Sequence, residues 1–114
     1  MREEKRRHPR AGIKWPTVIL TTKGHIFAQT LDLSLKGALI RSWEKPELMN
    51  SFAIIFKPPS RRSFMTVTAV KVWATTLGLD SKTTVHVSGV RFTEILDEDL
   101  QFLRTIISNN TQLG

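Results

Sequence analysis

Phe64-Met65-Thr66-Val67-Thr68-Ala69-Val70-Lys71-Val72-Trp73-Ala74-Thr75 alternates Val67, Ala69, Lys71 and Trp73 with Thr66, Thr68, Val70 and Val72. A period of two over so many residues is that of an extended strand. Thr83 to Thr93 repeats it around Val85, Val87, Val90 and Phe92, with Gly89 as a bulge or a point of close approach. Leu77 to Lys82 then forms the hairpin loop between two long antiparallel strands. Beyond them the period changes: Leu96, Leu100, Leu103 and Ile107 recur at spacings of four, three and four, which places them on one helix face. Asp97, Glu98 and Asp99 suit the positive end of that helix, and Asn109-Asn110 is expected to stop it, giving a helix over about 97–108.

Upstream, Ile13 to Leu20 is rich in β-branched residues and reads as a strand, although Pro16 cannot donate to a ladder and points to an edge or a bulge. Thr21-Thr22-Lys23-Gly24 is a polar turn, and Ile26 to Leu31 alternates as the returning strand of a hairpin. A turn around Ser34 and Gly37 leads to a third strand, Ala38 to Trp43, and Ser51 to Lys57 supplies a fourth. Pro58-Pro59-Ser60-Arg61-Arg62 is a stiff polar connector. Six strands and one terminal amphipathic helix predict an all-β fold with a C-terminal helix, an antiparallel barrel or curled sheet with the helix packed on it.

The chain of 114 residues has room for one core. Its 40% hydrophobic and 24% charged residues are those of a globular domain, which excludes disorder along the whole length. The domain is placed at residues 13–108, with a basic, flexible arm at 1–12 and a tail at 109–114. The absence of cysteine removes disulfides and thiolate metal sites. His8, His25 and His86 share no metal-like spacing, so no metal is expected. No apolar run approaches the ~20 residues needed to span a bilayer, and no signal peptide follows the charged start. A cytoplasmic protein without membrane insertion is the expectation.

The formal charge of +7 favours anionic partners. Residues 1–10 alone carry Arg2, Lys5, Arg6, Arg7 and Arg10 against Glu3 and Glu4, an excess of +3. Arg6 and Arg10 are separated by three residues, with Pro9 discouraging a helix between them. An arginine fork makes paired bonds to guanine O6 and N7 or to phosphate, and its flat face stacks on a base. Asp32-Leu33-Ser34-Leu35-Lys36-Gly37 supplies complementary groups: Asp32 accepts from guanine N1 and N2 or orients an arginine, Ser34 donates or accepts, and Gly37 lets backbone and ligand come close. Taken singly, the basic run is an ordinary solvated tail, and the second motif an Asx-type turn with Gly37 at positive φ. A structural turn whose exposed polar edge also binds reconciles the two.

Arg6 and Arg10 followed by Asp32, Ser34 and Gly37 resemble the two signatures of the PilZ family of cyclic di-GMP receptors, R-x-x-x-R and D/N-x-S-x-x-G. Gly89-Val90-Arg91-Phe92 and Val70-Lys71-Val72-Trp73 are similar to stretches of that family, so the resemblance covers nearly the whole chain. It implies a six-stranded barrel with a C-terminal helix, of the stand-alone single-domain type. It also implies cyclic di-GMP as ligand and no cofactor. The arm would order over that ligand and alter contact with an unidentified downstream protein, without catalysis. Lys5 and Arg7 would add charge, and a basic residue at the Lys5 position is compatible in the family with an intercalated pair of ligand molecules. Ser34 has no nominated base and no nucleophile-elbow pattern around it. Lys36, Arg41 and Arg91 are secondary contact candidates, and Trp15, Trp43 and Trp73 read as core or rim residues. The alternative is a small basic β-barrel binding nucleic acid, with the arm tracking phosphates.

Overall fold

The computed structural model describes residues 10–111, and within them six antiparallel strands close into a barrel in the order β1-β2-β3-β6-β5-β4. The strands are β1 (Pro16–Thr21), β2 (Gly24–Leu33), β3 (Gly37–Ser42), β4 (Phe52–Phe56), β5 (Met65–Gly78) and β6 (Thr84–Glu94), followed by α1 (Asp97–Thr111). Side chains alternate in and out along each strand. Ile19, Ile26, Ile40, Ile54, Phe56, Val67, Ala69, Val90 and Phe92 all point into the barrel and are buried. Each large side chain removed from water contributes about 1.5–3 kcal/mol, so the interior is the main source of cohesion.

β1 is not an edge. It pairs with β2 on one side and β4 on the other, and closure leaves it no free side. Pro16 is tolerated because it is the first residue of the strand, where its carbonyl still accepts from Lys57 N at 2.9 Å. Preceding it, Ala11, Ile13 and Trp15 are buried although they lie outside any strand. Thr30 holds them: its hydroxyl donates to Ile13 O and accepts from Trp15 N at 2.8 Å.

Three one-residue register shifts interrupt the alternation, one of them where Thr68 faces Glu94 and Ala69 faces Phe92, leaving Thr93 extra in β6. Thr30 faces Ile40 and Asp32 faces Leu39, leaving Leu31 extra in β2. Lys71 faces Val90 and Trp73 faces Gly89, leaving Val72 extra in β5. Each bulge reverses the face of the residue after it. Trp73 is therefore turned away from the face it would share with Val67 and Ala69, and β5 itself runs through Gly78, past the start of the expected hairpin loop.

The helix continues to Thr111, beyond the stop expected at Asn109-Asn110, because Asn110 Nδ2 donates to the carbonyl of Ile106 one turn back. Residues 109–111 thus belong to α1 rather than to a tail. Its buried face consists of Asp99, Leu103 and Ile107, with Phe102 and Ile106 partly buried, whereas Leu96 precedes the helix and is exposed. Phe102 stacks on Trp15 at 6.1 Å. Arg61 of the connector bonds the buried Asp99 carboxylate and lies 4.6 Å over the Phe102 ring. That pair fastens the helix start to the β4–β5 connector. No helix among the described residues is long and apolar enough to cross a membrane.

Candidate functional site

The chain reaches the β2–β3 turn from the N-terminal side. Ala11 and Leu33 form an antiparallel bridge, each amide donating to the other's carbonyl at 2.9 Å. The pairing fixes Arg10 beside the end of β2, so the arm's last residues, assigned above to a flexible 1–12, are docked at Ala11. Arg10 Nη1 bonds Asp32 Oδ1 at 2.6 Å across 22 residues of sequence. Asp32 thereby orients an arginine, one of its two expected roles. The Arg10 side chain is 56% exposed. Lys5, Arg6 and Arg7 lie outside the described residues.

Ser34 and Gly37 build the turn. Ser34 Oγ accepts from Lys36 N at 3.2 Å and Gly37 N at 3.1 Å, and lies 3.3 Å from Gly37 O. The Ser34 amide donates to Gly37 O at 2.9 Å. At 2% exposure the hydroxyl is committed to the turn. Gly37 has no positive φ; among the described residues only Gly24 does. The requirement for glycine comes from β6: a Cβ at Gly37 would collide with the Val90 carbonyl oxygen and press on Arg91 Cα. The close approach expected at Gly37 is one of strand to strand.

Residues directly opposed on neighbouring strands share a face. Asp32 opposes Leu39, Leu39 opposes Gly89, and Gly89 opposes Trp73, which makes one row across the outside of β2, β3, β6 and β5. Three strand spacings, about 14 Å, separate its ends. A Cβ at Gly89 would lie 2.5 Å from Trp73 Nε1 and 2.8 Å from its Cε2, so the indole rests directly on the glycine backbone. Trp73 is 46% exposed. The row thus has an ion pair at one end and a half-exposed aromatic plane at the other. Arg41 flanks it, bonded to Gln29 Oε1 at 2.7 Å, and the exposed Arg91 stands opposite Gly37. Trp15 is in the core, but Trp43 and Trp73 are on the outer surface. The outward turn of Trp73 could not be read from the alternation, since Val72 interrupts it; the signal available was Gly89, a glycine in a strand.

Chemically, this surface offers a cationic fork held by a carboxylate, further guanidinium groups and a flat ring. Such a set recognises a planar base carrying phosphate. Among the described residues no group of His, Asp and Glu is placed to hold a metal ion.

The fold is similar to that of the inhibitor of motility MotI/DgrA of Bacillus subtilis, with a TM-score of 0.76 and 14% identity over 95% of this chain and 52% of that one. The chain thus spans about half the length of that protein. It is also similar to the PilZ domain, with c-di-GMP, of YcgR from Escherichia coli: the TM-score is 0.72, the identity 18%, and the match covers 95% of this chain and 92% of that one. At these identities the likeness is one of fold. No curated protein sequence matches the chain. The sequence pattern of the PilZ domain, however, matches residues 4–109, from the arm into the last turn of the helix, and the chain belongs to that family.

Proposed function

We propose that this protein is a receptor for cyclic di-GMP. Arg6 and Arg10 clamp the ligand, and Lys5 and Arg7 add charge. Asp32 holds Arg10, while Ser34 and Gly37 shape the turn against which the ligand lies. Trp73 supplies a ring for base stacking. The observation that carries this reading is the Arg10–Asp32 ion pair, made where the Ala11–Leu33 bridge brings the arm to the turn. Membership of the PilZ family and the likeness to the YcgR domain that holds c-di-GMP support the same ligand.

The protein binds without catalysing, and ordering of the arm changes the surface offered to a downstream protein. Fixing backbone costs on the order of 1–2 kcal/mol per residue, so charged contacts must exceed that, and an affinity near micromolar, about −8 kcal/mol, is the expected outcome. Calorimetric titration with cyclic di-GMP, against linear guanine nucleotides and a random oligonucleotide, is the test. Arg10→Ala and Arg6→Ala each remove most of the binding, while melting temperature stays almost unchanged. Equal titration of parent and variants would overturn the proposal; preferential, steeply salt-dependent binding of the oligonucleotide would favour a nucleic-acid partner.

A further inference from the structure

The two ends of the barrel differ. At the end bearing the Ser34–Gly37 turn, α1 covers the core with Leu103 and Ile107. At the other end, reached along β3 from Gly37 to Ser42, or about 17 Å at 3.3 Å per residue, lies a cavity of about 420 Å³. It opens between the loop after β3 and the projecting β5–β6 ribbon. Lys45 and Lys71 line it with Thr75, Thr76, His86 and Ser88, and no carboxylate among the described residues does. Glu44 and Glu47 line a neighbouring cleft, where Glu47 pairs with Lys23 at 2.9 Å.

Ser88 is the telling residue. It faces inward, opposite Ile40 and Ala74, and is 2% exposed. The other buried polar side chains, Thr17, Thr30, Ser34, Ser42 and Asp99, all have partners. The Ser88 hydroxyl has no hydrogen bond to any described residue, an unfavourable arrangement for a buried polar group unless something else satisfies it. Beside it, Thr76 Oγ1 and His86 Nδ1 are 3.0 Å apart. A lining of two lysines with hydroxyl and imidazole groups disfavours cations and suits anions. A phosphoryl group offers oxygens in three directions, enough for a buried hydroxyl and two lysines together, whereas a carboxylate offers two in one plane.

We propose that this open mouth is a second ligand site, separate from the arm and turn, for a small phosphorylated anion. Ser88 donates its hydroxyl proton to a phosphoryl oxygen, and Lys45 and Lys71 balance the charge. The site does not depend on the cyclic di-GMP reading.

The test is titration of the full chain with sodium pyrophosphate, followed by amide chemical shifts. Saturable shifts are expected at Ser88, His86 and Thr76, and none at Arg10 or Asp32. Ser88→Ala weakens binding about tenfold, the loss of one charge-assisted hydrogen bond, yet leaves the melting temperature equal or higher, because it removes an unpartnered hydroxyl. The double variant Lys45→Gln/Lys71→Gln abolishes binding, and Arg10→Ala leaves it intact. Guanosine 5′-monophosphate as a second probe separates sources: shifts at the same amides assign the phosphoryl group to a nucleotide, and shifts with pyrophosphate alone assign it to a free polyanion. Absence of saturable shifts, with only ordered water at Ser88, would overturn the proposal. So would full binding by Ser88→Ala or by the double lysine variant.

Discussion

Ala11 and Leu33 exchange two backbone hydrogen bonds, a bridge that ties the segment before β1 to the last residue of β2. It holds Arg10 beside the turn between β2 and β3. A contact of this kind involves no side-chain chemistry, and it still brings Arg10 to Asp32.

Ala11→Pro removes one of the two donors of that bridge. We expect a loss of about 1–3 kcal/mol of stability, since a buried carbonyl at Leu33 loses its partner. We also expect cyclic di-GMP affinity to fall although every charged residue of the arm is intact. Denaturant unfolding and calorimetry on the same samples check both effects.

Asp32→Asn and Ser34→Ala separate binding from folding. The Arg10–Asp32 pair is at the surface, and losing it costs less than about 1 kcal/mol of stability, whereas ligand affinity should drop tenfold or more, because Arg10 loses its orientation. Ser34 is buried and its hydroxyl accepts from two turn amides. Its removal should cost about 1–3 kcal/mol and lower the melting temperature visibly. A Ser34→Ala protein as stable as the parent would contradict the turn geometry.

Gly37→Ala and Gly89→Ala fail for different reasons. At Gly37 the added methyl meets the Val90 backbone, which cannot move without opening the β3–β6 pairing, and a destabilisation of about 2–3 kcal/mol or more is expected. At Gly89 it meets the Trp73 side chain, which can swing away. The barrel should survive, but the tryptophan fluorescence spectrum should shift and ligand affinity should fall.

Asp80 confers a pH dependence on the β5–β6 hairpin. Its carboxylate accepts from Lys82 N and Thr83 N, both at 2.8 Å, and these bonds lower its pKa below the ordinary value of 3.8. A group whose folded pKa is depressed contributes stability above its unfolded value and loses it as pH falls through the folded one. Hydrogen exchange at the Lys82 and Thr83 amides should therefore be slow relative to other exposed loops above that range and lose its protection on acidification below 3.8. Asp80→Asn should abolish the transition.

Much of the fold was legible from local pattern. The alternation from Phe64 to Thr75 and from Thr83 to Thr93 gave two strands whose extents differ from β5 and β6 by a few residues, because a strand's period is written in consecutive side chains. The helix was found for the same reason, but its face was misjudged at Leu96 and its end at Asn109, where a side-chain bond to Ile106 extends the last turn. Asp32, Ser34 and Gly37, nominated together, lie at the end of β2 and in the turn that follows it. The reason for Gly37 was not visible, since Val90 lies 53 residues away in sequence and meets it only after β3 and β6 pair.

The order of residues by itself determined the element types, the cationic arm and the polar turn, all of which depend on neighbours in the chain. Only the closed barrel decided what those pieces face. One extra residue at Leu31 turns Asp32 outward toward Arg10, another at Val72 brings Trp73 onto Gly89, and closure leaves Ser88 buried at the open end without a side-chain partner among the described residues. A bulge is a mismatch in length between two paired strands, so it belongs to neither strand alone, and a one-residue change of register reverses every face beyond it.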